Sequence, residues 1–392
     1  MLTSLEIENY RNFKHLTIEK LGRVNLIIGK NNTGKSSLLE AVSIFAMSKL
    51  YPSNNEQIHQ WLYYLASQRD ENYTLRIQNS NIVREVIDKN IKTITSLMYE
   101  RKIDFNIDFC TIIGDPSSGN KLRIRLAKEY QTQAQNLDEN GQLMTHYYQK
   151  VALRESEIAN GFPFTEVFEI QQSTRHSGSI ISAIPLRANN QGFASQIQSM
   201  LPAMKLQIVW TNNNNAISLN AILWDKILFE QSKINSVVSG LRIIEPNIEI
   251  IAFPSNEHNQ RYAAIKTTNG NDPIPASSMG DGINRVLTII LAMVNCQDGY
   301  FLVDEFDMGL HHSVQKKLWE IVFYLANKLN VQVFATTHSH DTIKTFQAVA
   351  NGKAEYEDAI LVKLVNKQGN IEAITANANE LEEIVEDLID IR

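Results

Sequence analysis

Leu2 to Ile7 alternates apolar and polar residues, as does His15 to Ile18, and both predict strands of an antiparallel edge. Val24 to Ile28 is instead a nearly continuous apolar run, the pattern of a buried strand. It leads directly into Gly29-Lys30-Asn31-Asn32-Thr33-Gly34-Lys35-Ser36, and the spacing from Ser37 to Leu50 predicts an amphipathic helix that Pro52 ends. From Tyr51 to Ala203 the periodicity fades into polar, Asn- and Gln-rich sequence. Within it, Asp115 to Asn120 predicts a hairpin turn between Asp104–Ile113 and Lys121–Ala127, and Val167–Gln171 and Ile180–Leu186 predict two more strands. Ile217 to Val238 reads as one helix with Leu219, Ile222, Leu223, Ile227 and Leu228 on one face.

An α/β alternation follows. Strands Ile248–Phe253 and Ala263–Thr267 precede a helix from Asp281 to Asn295, the apolar strand Tyr300–Val303 and a helix from Ser313 to Leu329. Strand Val331–Ala335, a helix after His338, a hairpin of Ala359–Val365 with Asn370–Thr375 and an acidic helix Glu380–Ile391 come last. No internal repeat of solenoid or propeller length is visible.

Composition narrows the classes. The 392 residues are 43% hydrophobic and 20% charged, ordinary for a soluble chain with a full core, and long enough for two or three structural units. The net charge of -6 argues against a protein that coats nucleic acid through bulk charge, while contact through a local basic patch stays open. Cys110 and Cys296 cannot make a disulfide framework, which predicts a reducing, cytoplasmic setting. The N-terminus carries acids where a signal peptide would be apolar, and Val286–Val294 is too short to span a bilayer, so no membrane partner is expected.

Gly29-x-x-x-x-Gly34-Lys35-Ser36 matches the phosphate-binding loop in full and lies between a predicted strand and a predicted helix, as that chemistry requires. The glycines let backbone N–H groups of the Asn31-Asn32-Thr33 turn face phosphate oxygens; Lys35 reaches the β- and γ-phosphates, and the Ser36 hydroxyl ligates Mg²⁺. Such a loop needs an acidic partner at the end of a buried strand. Asp304 and Glu305 directly follow Tyr300–Val303, which predicts Asp304 as the metal ligand and Glu305 as the group that polarises attacking water. Gly309-Leu310-His311 then stands at the spacing of an ABC-type D-loop.

Ser277-Ser278-Met279-Gly280-Asp281-Gly282 lies at a predicted helix start, where small residues expose amides and hydroxyls to an anion. Taken alone it reads more simply as an N-cap from Ser277 or Ser278. Read as an ABC-type signature, Ser278 and Gly280 would serve the nucleotide of the opposite protomer. Thr336-Thr337-His338-Ser339 follows the strand Val331–Ala335 and places His338 as the switch histidine that contacts the γ-phosphate. His338, His340 and the adjacent His311-His312 lack the spacing of a complete zinc ligand set.

The N-terminal Leu5-Glu6-Ile7-Glu8-Asn9-Tyr10-Arg11-Asn12-Phe13 and the loop Gly-Lys-Asn-Asn-Thr-Gly-Lys-Ser resemble the RecF/SMC/OLD branch of ABC-type ATPases. Leu241 to Pro246, Gly280 to Arg285, Asp304 to His311 and Ala335 to Ser339 resemble the bacterial AAA15 family of OLD-like ATPases, whose members often carry Glu where this chain has Asp307. The resemblance implies an α/β fold: a P-loop ABC-type ATPase head, a mixed sheet with flanking helices, formed by residues 1–50 and 205–392 and carrying a large inserted α+β/helical module at 51–204. It implies ATP and Mg²⁺ as cofactors and an ATP-sandwich dimer or higher homo-oligomer. The stretch after His338 is too short for the Toprim domain of OLD nucleases, so the resemblance further implies a switch or sensor subunit of a phage-defence system acting with a separate Toprim-like or RloB-like effector.

The alternatives differ in visible features. A RecF/SMC-like repair ATPase acting on DNA would show long heptad arms or a basic groove, and no heptad run of arm length is present. A self-contained OLD nuclease is disfavoured by the short C-terminal stretch. A transporter's nucleotide-binding subunit would carry a signature closer to Leu-Ser-Gly-Gly-Gln and a coupling glutamine, which cannot be assigned among the glutamines of 57–207.

Overall fold

The computed structural model describes residues 1–52, 55–69, 71, 82–102, 111–137, 143–152, 164–174, 179–186, 205–210, 216–270, 272–377 and 380. The chain divides into two compact units: Met1–Leu5, Thr17–Ala46 and Gln198–Arg392 form the first, Glu6–Leu16 and Met47–Ile197 the second. In chain order the elements are β1 (Leu5–Tyr10), β2 (Phe13–Ile18), β3 (Val24–Gly29), α1 (Lys35–Leu50), α2 (Asn55–Ser67), α3 (Ile82–Ser96), β4 (Thr111–Asp115), β5 (Asn120–Leu137), β6 (Leu143–Ala152), β7 (Phe164–Ser173), β8 (Ile180–Pro185) and β9 (Leu206–Val209). They continue with α4 (Ala216–Ile227), α5 (Gln231–Ile244), β10 (Ile248–Ala252), β11 (Ala264–Thr267), β12 (Ile274–Pro275), α6 (Asp281–Asn295), β13 (Tyr300–Val303), α7 (His312–Lys328), β14 (Gln332–Thr336), α8 (His340–Ala350), β15 (Ala359–Lys367) and β16 (Asn370–Asn377).

The first unit is built on a six-stranded sheet of order β16-β15-β3-β14-β13-β9, with a small β10-β11-β12 sheet beside it in sequence. Five strands of the larger sheet run parallel; only β16 is antiparallel, paired to β15 through the predicted hairpin. Every residue of β3, β13 and β14 is buried, which explains why these strands read as unbroken apolar runs. β14 lies between β3 and β13, with Thr336 opposite Ile27 and Ala335 opposite Val303. The strand carrying the phosphate loop and the strand carrying the acids are therefore separated by the width of one strand.

Phe306 fixes the acidic end of β13 to the core. Its ring stacks on Trp319 of α7 at 3.9 Å and 16°, and Trp319 meets Phe346 of α8 edge-on. All three rings are fully buried, and the Trp319 indole N–H donates to the Thr342 carbonyl at 3.2 Å. An aromatic cluster of this kind holds more than its area alone would give.

The two N-terminal strands, read from sequence as an antiparallel edge, are neighbours at the end of a second, larger sheet. β1 pairs with β4, Glu6 opposite Gly114 and Ile7 opposite Ile113, in a sheet of order β2-β1-β4-β5-β7-β8 with β6 on β5. Leu5, Ile7, Phe13 and Leu16 are buried while Lys14, His15 and Thr17 are exposed, the one-sided pattern of a sheet that packs one face. In the same sheet Arg125 lies directly opposite Glu169 and donates to it twice, at 2.8 and 3.1 Å, from positions that are both buried.

One expectation needs correction, and one strand was not foreseen. Ile217–Val238 is two helices, α4 and α5, broken at Leu228-Phe229-Glu230. Phe229 is fully exposed and Leu228 nearly half so at the break, while Val237 and Leu241 of α5 are buried in the core. β9 was not foreseen, because four residues carry no usable periodicity. The acidic helix expected from Glu380 to Ile391 lies outside the described residues beyond Glu380, as do residues 104–110, Cys110 among them. Among the described residues no helix is long and apolar enough to cross a membrane.

Trp319→Ala removes the platform under Phe306 and should cost about 3–5 kcal/mol of stability. Chemical denaturation of the two proteins checks this, and the loss should appear with little change in the transition's steepness.

Candidate functional site

The loop between β3 and α1 closes on itself. Gly29 has φ of 154°, Asn32 64° and Gly34 88°. A Cβ on Gly29 would stand 2.6 Å from the Thr33 hydroxyl and 2.7 Å from the Leu364 carbonyl, so glycine is required there. Thr33 Oγ1 donates to the Lys30 carbonyl at 2.8 Å, while Asn31 and Asn32 are exposed on the rim. Lys35 is buried, and its ammonium donates back to the carbonyls of Gly29 and Lys30 at 2.9 and 3.1 Å. Burial draws its pKa down, and the nearby carboxylates of Asp304 and Glu305 oppose that pull.

Asp304 is where the loop and the acid strand meet. Ser36 Oγ donates to Asp304 Oδ2 at 2.9 Å, and Thr336 Oγ1 donates to Asp304 Oδ1 at 2.6 Å. The Asp304 amide donates to the Val209 carbonyl of β9 at 2.9 Å. Both carboxylate oxygens are therefore held, one from the phosphate loop and one from the intervening strand. Glu305, exposed and left-handed at φ 48°, turns the chain sharply at this point. Its amide donates to Thr336 Oγ1 at 2.9 Å, and the Phe306 amide donates to the Thr336 carbonyl at 2.8 Å. Thr337 Oγ1 donates to Asp307 Oδ1, and the Ser339 amide donates to Thr337 Oγ1 at 2.9 Å.

His338 follows on the same rim, exposed, with burial and the Lys35 charge drawing its pKa down and the carboxylates of Glu305, Asp307 and Asp304 opposing them. The imidazole is thereby biased toward its neutral form, able to accept at one nitrogen and donate at the other.

The structure thus brings together Gly29, Thr33, Gly34, Lys35, Ser36, Asp304, Glu305 and His338 at the C-terminal ends of parallel strands, where ligands bind in open α/β sheets. Ser278 and Gly280 share no hydrogen bond with this group among the described residues. They lie exposed in the turn before α6, and the N-cap of α6 is Gly280, at φ 103°, not Ser277 or Ser278. The simple capping role is therefore overturned, and both serines are exposed. His311 has a structural duty, because its Nδ1 accepts from the Ser313 amide at the start of α7.

Three residues here were missed from sequence. Thr336 and Thr337 stand beside His338 in the same motif, yet they hold Asp304 and Asp307. Arg285, on α6, donates from Nη2 to the carbonyls of Asp304 and Glu305 at 3.1 and 3.2 Å. Its sequence context gives no signal for this, because its partners are backbone carbonyls.

The family model for the AAA ATPase domain matches residues 1–343. The chain belongs to this ATPase family. It is 25% identical over 361 residues to an ATP/GTP phosphatase of Helicobacter pylori, a match covering 90% of this chain and 89% of that protein. A 91-residue stretch is 35% identical to the DNA replication and repair protein RecF of Bacillus mycoides and spans 22% of each chain. Among solved structures, an SMC head bound to the C-winged helix domain of ScpA aligns at 12% identity with a TM-score of 0.46, covering 97% of this chain and 98% of that one. The SMC head domain from Thermotoga maritima aligns at 10% identity and 0.42, covering 96% and 98%.

Among the described residues the Lys35 ammonium bonds only to carbonyls of its own loop, so its removal should spare the fold. Lys35→Ala is expected to melt within a few degrees of the parent while losing ATP binding, measured by titration with a fluorescent ATP analogue.

Proposed function

We propose that this chain is an ATP-binding and hydrolysing switch in which Lys35 and the amides of Gly29 to Ser36 hold the triphosphate and Glu305 polarises the attacking water. The observation that carries the reading is the Ser36–Asp304 hydrogen bond, which brings the phosphate loop and the acid strand to one point. Two hard oxygens 2.9 Å apart, one a carboxylate, are a donor pair suited to Mg²⁺. Ser36 and Asp304 would hold the ion, which supplies neutralising charge to the phosphates when bound. Lys35 would leave its loop carbonyls for phosphate oxygens, exchanging neutral acceptors for charged ones. Thr336 orients the Asp304 carboxylate through its hydroxyl, and His338 would donate to the γ-phosphate.

The exposure of Ser278 and Gly280 at the start of α6 supports a second part of the proposal: an ATP-sandwich dimer, or a higher homo-oligomer, in which they meet the nucleotide of the opposite protomer. A cytoplasmic phage-defence role, with a separate Toprim-like or RloB-like effector, is supported by the AAA15 resemblance. The local identity to RecF favours a second reading, a repair ATPase acting directly on DNA.

Glu305→Gln tests the chemistry. Turnover should fall by roughly two orders of magnitude or more while ATP still binds. The ATP-bound dimer should accumulate, as read by light scattering. Near-normal turnover would move the catalytic role elsewhere.

The division of labour has its own test. The pure chain is expected to hydrolyse ATP and leave plasmid, linear DNA and tRNA intact in Mg²⁺ or Mn²⁺, with cleavage requiring a second protein. Cleavage that survives repurification and vanishes in an acid-to-Ala variant of this chain would overturn that part. ATP-dependent DNA binding with no effector requirement would favour the repair reading.

A further inference from the structure

Glu305 is a non-glycine residue at φ 48°, a conformation of appreciable cost that persists only where its surroundings over-determine it. Those surroundings are explicit. On its amino side the amide is held by Thr336 Oγ1 at 2.9 Å. On its carbonyl side Arg285 Nη2 holds the Glu305 oxygen at 3.2 Å and the preceding Asp304 oxygen at 3.1 Å. One nitrogen thus straddles the two peptide units on either side of the turn.

Arg285 does this at a cost. Its Nε is buried with no hydrogen-bond partner among the described residues. Its hydrogen bonds go to carbonyls, and burial draws its pKa down against the longer-range pull of Asp304, Glu305 and Asp307. A half-buried cation with an unsatisfied buried Nε is a poor device for stability alone, because an apolar side chain of the same length would avoid both penalties.

We propose that Arg285 is a positioning residue for hydrolysis: it fixes the left-handed turn at Glu305 and so aims the Glu305 carboxylate, without itself touching nucleotide. The inference rests on the reading of Glu305 as the water-polarising group. Thr336 shares the task but also donates to Asp304, so changing it would disturb the metal ligand too. Arg285 meets only backbone at this point and is the cleaner handle.

Arg285→Met keeps the length of the side chain and removes the donor. Turnover should fall roughly ten- to a hundred-fold, the range expected when a catalytic group is displaced by about an ångström. Affinity for a fluorescent ATP analogue, measured in EDTA so that no metal contributes, should stay within about two-fold of the parent, since the loop after β3 is untouched. In single-turnover assays Arg285→Met placed on Glu305→Gln should add no further loss, because its effect passes through the carboxylate already removed. Arg285→Lys should recover most of the activity, as a single nitrogen makes both bonds. If Arg285→Met does not fold, Arg285→Gln carries the same test. Unchanged turnover, a weakened analogue affinity, or a loss that adds fully to that of Glu305→Gln would overturn the proposal. If Glu305→Gln itself turns over normally, the functional reading fails and this inference with it; if Glu305→Gln is inactive and the Arg285 loss is additive, only this inference fails.

Discussion

One carboxylate ties the site together. Asp304 receives the Ser36 hydroxyl on one oxygen and the Thr336 hydroxyl on the other, while its amide is held by β9. Remove it and nothing else described joins the phosphate loop to the acid strand, because β14 keeps β3 and β13 from being neighbours. The intervening strand is thereby turned to use. Ala335 lies opposite Val303, so the next residue, Thr336, is in register with Asp304 itself. A threonine there reaches both the Asp304 carboxylate and the Glu305 amide with a single hydroxyl, which donates to the first and accepts from the second.

Immediately after Asp304 the chain must reverse the alternation of the strand. Asp304 and Phe306 are buried while Glu305 is exposed, and the left-handed conformation at Glu305 is what allows Phe306 to turn back onto Trp319. The stacked pair and the clamp by Thr336 and Arg285 act on adjacent residues. Burial of a large aromatic side chain contributes on the order of 2–3 kcal/mol, enough to offset roughly 1–3 kcal/mol of backbone strain. The acid is presented to solvent because its neighbour is anchored in the core.

Much of this was legible from residues close together in sequence. Gly29 to Ser36, Asp304-Glu305 and His338 each sit at the end of an apolar run, so their element and their exposure followed from local pattern. The six-stranded sheet was half legible: its buried strands announced themselves, but β9 is too short to show a period, and its pairing with β13 spans the whole intervening segment. Tertiary choices escaped. Nothing local says that Leu228 and Phe229 are left exposed at a break between two helices, nor that β1 seeks β4. The capping of α6 was misread because Ser277-Ser278 satisfies the preference for small polar residues, whereas the chain dihedrals at the boundary fall on Gly280. Arg285 was invisible for a different reason: it binds backbone carbonyls, and carbonyls leave no mark in sequence.

The position of β9 bears directly on the acidic ligand. β9 is the edge of its sheet, four residues long and wholly buried, with β13 as its one neighbour. It is also where the chain returns after residues 47–197. Its last carbonyl, Val209, accepts the Asp304 amide at 2.9 Å. The Asp304 amide thus extends the β9–β13 ladder by one hydrogen bond beyond Val303. An edge strand held on one side resists sliding less than an interior strand held on both, so this ladder is the place where the sheet can respond with the fewest bonds disturbed.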